Sequence, residues 1–447
     1  MRFYLESLGC PKNLVDAQGM IRLLEGMGHE LVDRPRQAQV VVVNTCGFIR
    51  DAQEESLGEL RRLASRKQPG QVLIAAGCLS QLWGERLVDQ VPGIDAVLGT
   101  RRWSEIDRIV AELEAGRGSP SQRRPAVVTL LGDRLPAGDR DPAHSRSFAR
   151  QGATAYLKIG EGCSAPCGFC AIPRIKGPAV SRPVEAVAAD AVDLVEYGSQ
   201  EIILIAQDTT AYGRDQGDRD GLPGLVDAIL SAAPGLHWLR LMYAYPGHIS
   251  KRLIAVMAGD PRVCHYLDLP LQHAHPDVLR RMKRPADVSL TRRLIADLRA
   301  ALPNLALRTS LIVGYPGETE AEFQALLDFV GEIRFDRVGV FVYSPEEGTP
   351  AAALPDPVPE ALKAERRGRL MALQQGISLE SNRAQVGRTL EVLVEGQGDG
   401  MSVGRTYRDA PEIDGLVLLP GRVPVGEMVT ARITDSMEYD LVGEIEI

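Results

Sequence analysis

The sequence predicts an α/β protein in three parts: an open parallel sheet first, a partial parallel (β/α) barrel next, and a small antiparallel β barrel at the end. Strand, loop and helix patterns alternate from the start to about residue 113, and the alternation resumes from about Ala153 to Tyr343. From Val386 the pattern changes to short apolar runs separated by Gly, Asp and Pro.

Length and composition suit this reading. At roughly 150 residues per domain, 447 residues make about three folded units. Hydrophobic residues at 45%, charged at 25% and aromatic at 5% exclude the disordered, collagenous and membrane classes. The longest apolar runs, such as Val40 to Val43 and Ile202 to Ala206, fall far short of the roughly 20 residues of a bilayer span, and MRFYLESLGC lacks a signal peptide's apolar core. A soluble cytoplasmic protein with no membrane partner is expected. A net charge of -8 argues against a chain whose main task is neutralising phosphates, leaving room for a local basic groove.

In the first part RFYLESL precedes a helix around Leu14 to Met27, VVVVNT one from Ile49 to Arg66, and VLIAAG one from Leu79 to Val88. GRGSPSQRRP and GDRLPAGDRDPAHSRS read as an interdomain connection with one short strand, Val127 to Leu130. In the second part AYLKIG, EIILIA, WLRLMYA, YLDLP, ALRTSLIVG and RVGVFVY are strands. Helices are expected near Val184 to Tyr197, Leu222 to Ala232, Ile249 to Met257, Leu290 to Ala301 and Glu320 to Glu332. Such barrels carry reactive groups at the carboxyl ends of the strands. A helix from about Pro359 to Gln385 leads to an OB-like tail built from TLEVLVEG, GLVLLPG, MVTARITDSM and YDLVGEIEI. The expected boundaries are 1–113, a linker at 114–148, 149–378 and 380–447.

Seven cysteines in a chain without an export signal read as metal ligands or reactive thiols rather than a disulfide framework. In EGCSAPCGFCAIP, Cys163, Cys167 and Cys170 are spaced C-x3-C-x2-C directly after AYLKIG. Three thiolates on one loop can ligate three irons of a cubane cluster and leave the fourth iron open to a chelating cofactor. The bland alternative is a structural zinc loop or a chance cluster. Zinc needs a fourth ligand, and the next His and Cys are the distant His237 and Cys264.

With Phe169 before the third cysteine, this segment resembles the radical S-adenosylmethionine (SAM) superfamily. The resemblance implies a TIM-like radical SAM barrel whose 4Fe-4S cluster cleaves SAM to a 5′-deoxyadenosyl radical. Such a radical has to be kept from solvent.

Cys10, Cys46 and Cys78 each follow an apolar run, and in an open parallel sheet those loops emerge at one edge. They are either converging ligands or buried small hydrophobes. The segments SLGCPKNLVDAQ, NTCGFIRDA and GCLSQ make the first 113 residues resemble the amino-terminal domain of the methylthiotransferase family. That resemblance implies a second 4Fe-4S cluster on Cys10, Cys46 and Cys78, whose open iron or bound sulfide carries the sulfur. The tail looks like a TRAM domain. Cys264 is read as core packing.

LGCPKNLVD, AQDTTAYG and DLPLQHAHPDVLRRMKRP resemble the branch acting on a ribosomal protein. The tRNA branch usually has GCQMN-type and PLQSGS-type segments, and SLIVGYPGETE is common to both. From Glu380 onward six arginines face thirteen acidic residues, a net of -7, which suits a basic protein partner better than RNA. A charge run on a small barrel is also often just a solvated surface. The resemblance implies β-methylthiolation of an aspartyl residue of ribosomal protein uS12. One SAM would donate methyl, a second would give the radical, and a low-potential electron donor such as a flavodoxin would serve as reductant. The aspartate β C–H is too weakly acidic for a side-chain base, in keeping with radical abstraction. The rival readings are a tRNA isopentenyl-adenosine methylthiotransferase, a non-catalytic ribosome-docking Fe-S protein, and a radical SAM methyltransferase without sulfur insertion.

At the expected barrel mouth, Gln207 and Asp208 follow the second strand, Gln272 and His273 the fourth, and Gly314 the fifth. Phe169, Gln207, Gln272 and Gly314 are SAM-contact candidates; for Gly314 the plain alternative is a turn. His273 and His275 are loop residues in this reading, not metal ligands. Ser164 stands where the family often has Asn, Gly168 where Thr is usual, and RIKG, with Lys176 and Gly177, replaces a frequent R-G ending.

Overall fold

The computed structural model describes residues 1–116, 127–131 and 146–446. Most of the expected linker lies outside the described residues. The structure divides into two compact units, one of Met1–Ala149, Tyr156–Ala165 and Cys170–Ala186, the other of Arg150–Ala155, Pro166–Phe169 and Val187–Ile447. Among the described residues no helix is long and apolar enough to cross a membrane.

The first unit contains β1 (Arg2–Ser7), α1 (Pro11–Gly26), β2 (Glu30–Leu31), β3 (Val40–Thr45), α2 (Arg50–Ser65), β4 (Val72–Gly77), α3 (Cys78–Trp83), α4 (Arg86–Gln90), β5 (Ala96–Gly99), α5 (Ile106–Gly116) and β6 (Val128–Leu130). The sheet order is β2-β1-β3-β4-β5-β6 and every pairing is parallel. Every residue of β3 and β4 is buried, because helices cover both faces, and this is why those strands read as unbroken apolar runs. Val40 and Val42 join Phe3, Met20, Ile74 and Trp103 on one face, while Val41 and Val43 join Leu57, Leu60, Leu73 and Leu79 on the other.

Two helices differ from expectation. α1 begins at Pro11, ahead of Leu14, because Cys10 serves as N-cap and proline fits the first helical turn. The single helix expected over Leu79 to Val88 is two, broken at Gly84, whose φ is +55°.

The chain then forms β7 (Phe148–Gln151), β8 (Thr154–Lys158), β9 (Gly160–Glu161) and β10 (Val180–Ser181), the last two pairing antiparallel. The second unit holds β11 (Glu201–Ile205), β12 (Trp238–Leu241), β13 (Val263–Asp268), β14 (Ala306–Val313) and β15 (Arg337–Val342), parallel neighbours in chain order, with the start of β8 at the β11 edge. Helices Gly221–Ala232, Lys251–Gly259, Val288–Ala301 and Glu320–Ile333 alternate with them. Among the described residues nothing pairs β15 back to β8, so the barrel is partial.

After the helix Glu360–Arg383 comes a closed barrel of β16 (Thr389–Gly398), β17 (Met401–Arg405), β18 (Val417–Pro420), β19 (Met428–Ser436) and β20 (Leu441–Ile445), in the order β16-β17-β18-β20-β19. The expected all-antiparallel pattern needs one correction. β18 and β20 run parallel, because the chain crosses over through β19 before closing the barrel.

Charged side chains join this barrel to the early parts of the second unit's strands. Glu201, fully buried at the start of β11, accepts from Arg240 Nε and Arg405 Nη2, both at 2.6 Å. Arg405 also holds Glu395, and Arg337 holds Asp409 at 2.6 Å. Burial alone would push the Glu201 carboxyl up, but the two guanidinium charges outweigh it and bring it to about 2.

Glu201→Gln leaves two buried arginines short of a counter-charge and is expected to destabilise the protein by about 3–5 kcal/mol near neutral pH. A carboxyl depressed in the folded state stabilises fully above its ordinary value of 4.5 and loses that contribution as pH falls towards about 2. The difference between parent and variant in urea unfolding, followed by circular dichroism, should therefore shrink across that interval.

Candidate functional site

Cys10, Cys46 and Cys78 sit just beyond the carboxyl ends of β1, β3 and β4, three neighbouring strands. These strands end in step: Ser7 pairs with Asn44, Asn44 with Ala76, and Thr45 with Gly77. Glycine lets the loops beyond them touch. A Cβ on Gly9, where φ is +88°, would lie 2.7 Å from Cys46 Cβ and 2.9 Å from its Sγ. One on Gly47 would lie 2.8 Å from the Leu79 backbone and 3.1 Å from the Cys78 carbonyl carbon. One on Gly77 would lie 2.6 Å from the Thr45 carbonyl oxygen. Close approach of these backbones requires the missing side chains.

Buried amides and hydroxyls hold the loops. Asn13 Nδ2 donates to the carbonyls of Leu8 and Thr45, both at 3.0 Å, and Asn44 Nδ2 donates to Asn13 O at 2.7 Å. Cys46 N donates to Ser56 Oγ at 3.0 Å, and Cys78 Sγ donates to Asn13 Oδ1 at 3.4 Å. Burial pushes the thiols of Cys46 and Cys78 up, and nearby Cys10 adds to the rise. Three thiolates cannot share such a site without positive charge, which an iron cluster supplies on displacing the thiol protons. The donor set fits a cluster on that ground. Cys10 is exposed and leaves the site open on its side.

Cys163 and Cys170 belong to the same unit. Cys163 N donates to Gly177 O at 3.0 Å, and Ser164 Oγ accepts from Ala179 N at 3.1 Å, so serine can serve where the family often has Asn. The helix Ile172–Lys176 starts directly after Cys170 and is fixed by Arg101, which donates to the carbonyls of Ile175 at 2.9 Å and Arg174 at 2.6 Å. Cys78 packs against Ala171 and Ile175 of this segment. Cys78 and the segment that follows Cys170 thus share apolar contact within the first unit.

Beside them lies a ring of four buried charges. Lys158 Nζ bridges Asp16 Oδ1 at 2.7 Å and Glu161 Oε2 at 2.9 Å; Lys176 Nζ bridges Asp16 Oδ2 and Glu161 Oε1, both at 2.9 Å. None of the four side chains exposes more than 8% of its surface. Burial opposes ionisation of Glu161, but Lys158 and Lys176 outweigh it and hold its carboxyl near 2. Lys158 also lies 5.5 Å from the Trp103 ring centroid. Asp16, Lys158 and Glu161 belong to no motif that spacing or composition picks out. The lysine inside the apolar strand AYLKIG was the available signal.

In the second unit, Arg284 Nη1 donates to Cys167 Sγ at 3.7 Å and its guanidinium sits 4.3 Å from the Tyr245 ring centroid. Tyr245 packs on His248, whose Nδ1 lies 2.9 Å from Asp208 Oδ2. A Cβ on Gly168 would come within 3.3 Å of Arg281 O and Tyr315 Oη, so the usual threonine would be crowded here. Phe169 packs in an apolar group with Val278, Met282, Tyr315 and Tyr343. Gln207 follows β11. Gln272 has a φ of +75° and is bound on both sides to β14, by its N to Ser310 O at 2.9 Å and from Ile312 N to its O at 2.7 Å. A left-handed non-glycine residue held by its surroundings marks a candidate site. Tyr243, with a φ of 61°, is a second that no sequence signal announces.

Gly314 has a φ of +74°, and the space its Cβ would take is filled by Lys363 Cγ, 2.3 Å away. Its N donates to Glu318 at 3.0 Å. His273 Nδ1 accepts from His275 N, and His275 Nδ1 accepts from Asp277 N to cap a helix, so both histidines have local structural contacts. Cys264 is buried within β13, its thiol pushed up to about 12 by burial.

Family models match three stretches: residues 2–99 to "Uncharacterized protein family UPF0004", 157–330 to the radical SAM superfamily and 386–445 to the TRAM domain. The ribosomal protein uS12 methylthiotransferase RimO of Roseiflexus sp. (strain RS-1) is 50% identical, over all of this chain and 97% of its own length. RimO of Chloroflexus aurantiacus is 49% identical over 99% of both chains. The chain belongs to the RimO family of radical SAM methylthiotransferases.

Membership makes it a transferase that uses SAM and an iron–sulfur cluster. Among solved structures, the radical SAM methyltransferase TsrM from Kitasatospora setae resembles it with a TM-score of 0.59 at 16% identity, covering 78% of this chain and 73% of that one. The cobalamin-dependent SAM radical enzyme OxsB gives 0.54 at 11% identity, covering 84% and 56%. At such low identity these likenesses concern the fold.

For this RimO-family chain, the glycine contacts yield a paired test. Gly28 has a φ of +82° and nothing within 4 Å of a would-be Cβ. Gly28→Ala should cost about 1–2 kcal/mol for backbone handedness alone. Gly9→Ala should cost clearly more, because its Cβ would overlap Cys46. Urea midpoints of the two metal-free variants measure the difference.

Proposed function

We propose that the chain methylthiolates an aspartyl residue of ribosomal protein uS12, using one SAM as methyl donor and another as radical source. The observation that carries this reading is the full-length similarity to uS12 methylthiotransferases, in a chain that has both sets of three cysteines.

Cys163, Cys167 and Cys170 hold one cluster, and Cys10, Cys46 and Cys78 hold a second that carries sulfur. When bound, the SAM-ligated cluster supplies the one-electron chemistry that takes hydrogen from an unactivated carbon. The chain's own residues bind and shield. The apolar group around Phe169 keeps water from the loop, and Gln207, Gln272 and Gly314 contact SAM at the carboxyl ends of the strands. Residues 1–113, 149–378 and 380–447 act as sulfur-carrying, radical and substrate-side domains around the linker 114–148. A low-potential donor such as a flavodoxin supplies electrons, and the work is done in the cytoplasm, where ribosomes assemble.

The tail's charge favours a protein over tRNA as substrate. Of the six arginines, Arg405 and Arg408 are buried in ion pairs, leaving Arg383, Arg422 and Arg432 exposed and Arg388 half-buried among exposed carboxylates such as Glu391, Glu412, Glu427 and Glu438. Such a surface repels phosphate and attracts a basic protein, so no direct RNA role is assigned to it.

Mass spectrometry of small-subunit proteins from a strain lacking the gene tests the assignment: the methylthio group on the uS12 aspartate should vanish, and its persistence overturns the reading. In the reconstituted protein, replacing Cys10, Cys46 and Cys78 together with alanine should lower iron from about eight to about four per chain. That variant should release 5′-deoxyadenosine without methylthio product.

A further inference from the structure

We propose that Asp16, Lys158, Glu161 and Lys176 are positioning residues: their buried ring sets the spacing between the two cysteine sets and so couples SAM cleavage to methylthio transfer. The proposal rests on the reading that both sets hold clusters.

Stability alone does not explain the ring. Desolvating an ion costs several kcal/mol, and apolar side chains of similar volume in place of a buried ion pair are often as stabilising or more so. Ion pairs add a demand on distance and direction that apolar packing lacks. Here each lysine bridges both carboxylates, so one element can shift only by loosening several contacts at once.

The ring members lie close to ligands along the chain. Asp16 is on α1, whose N-cap is Cys10. Glu161 is two residues before Cys163. Lys176 ends the helix that starts after Cys170, and its neighbour Ile175 packs on Cys78. Lys158 is anchored in β8 and lies beside Trp103. The four charges therefore tie the Cys10 segment to those bearing Cys163 and Cys170. In transfer between fixed groups, a misplacement of about 1 Å can cost about 100-fold.

The test uses full-length protein with both clusters reconstituted anaerobically. Asp16→Asn keeps shape and removes one charge; Asp16→Asn with Lys176→Met restores neutrality without the clamp. Asp16→Asn should cleave SAM at close to the parental rate while methylthiolated uS12 per 5′-deoxyadenosine falls at least about tenfold. The electron paramagnetic resonance line shape from the interaction of the two reduced clusters should change as well. The double variant should regain thermal stability while the product ratio stays low. An unchanged ratio and line shape in Asp16→Asn, or a ratio that recovers along with stability in the double variant, overturns the proposal. If Asp16→Asn does not fold, the double variant decides alone: a parental ratio overturns the clamp. A parent that releases 5′-deoxyadenosine but never methylthiolates uS12 points instead to failure of the functional reading, and the clamp falls with it.

Discussion

Three parallel strands that stop in step, and three glycines that let the chain approach closely at their ends, are the constraint on which the amino-terminal cysteine site depends. The pairings of Ser7 with Asn44 and of Thr45 with Gly77 place the loop ends side by side. Gly9, Gly47 and Gly77 then remove the Cβ atoms that would force the loops apart. Asn13 bonds the Leu8 and Thr45 carbonyls beyond and at the strand ends, and Asn44 bonds the Asn13 carbonyl of α1 in return. Backbone geometry therefore fixes where the three thiols stand.

Much of the fold was legible because its physics is local. Strands buried on both faces must be apolar throughout, so VVVVNT and VLIAAG announce themselves, and helices between them must carry one apolar stripe. Strand direction in the tail was not legible: alternation with period two records which face is buried, not which way a neighbour runs, and so the parallel β18–β20 pair passed unseen. The placement of Cys10, Cys46 and Cys78 at the carboxyl ends of neighbouring strands was legible from their position after apolar runs. The charge ring was not, because Asp16 meets Lys158 and Lys176 across more than a hundred residues of chain. The left-handed backbones of Tyr243 and Gln272 were equally hidden, since these residue types do not advertise that conformation as glycine does.

Two of the buried charge networks among the described residues differ in chemistry. The first unit pairs lysines with carboxylates in an alternating ring, and the second uses arginines, whose planar forks reach several acceptors at once. Arg405 shows the difference: it holds Glu201, Glu395, Thr154 and the Asp409 carbonyl together, a load a lysine could not carry in that geometry. Both networks are shielded from solvent, so added salt should weaken them far less than surface pairs such as Arg292–Glu332.

The inward-facing arginines of the tail also bear on how fragments of this chain are to be understood. Cutting the polypeptide after the helix Glu360–Arg383 would remove Arg405, Arg408 and Asp409 together, leaving Glu201 with Arg240 alone and depriving Arg337 and Asp336 of their ion-pair partners. A shortened protein that lost activity would be reporting damage to its own scaffold before it reported anything about what the missing segment recognises.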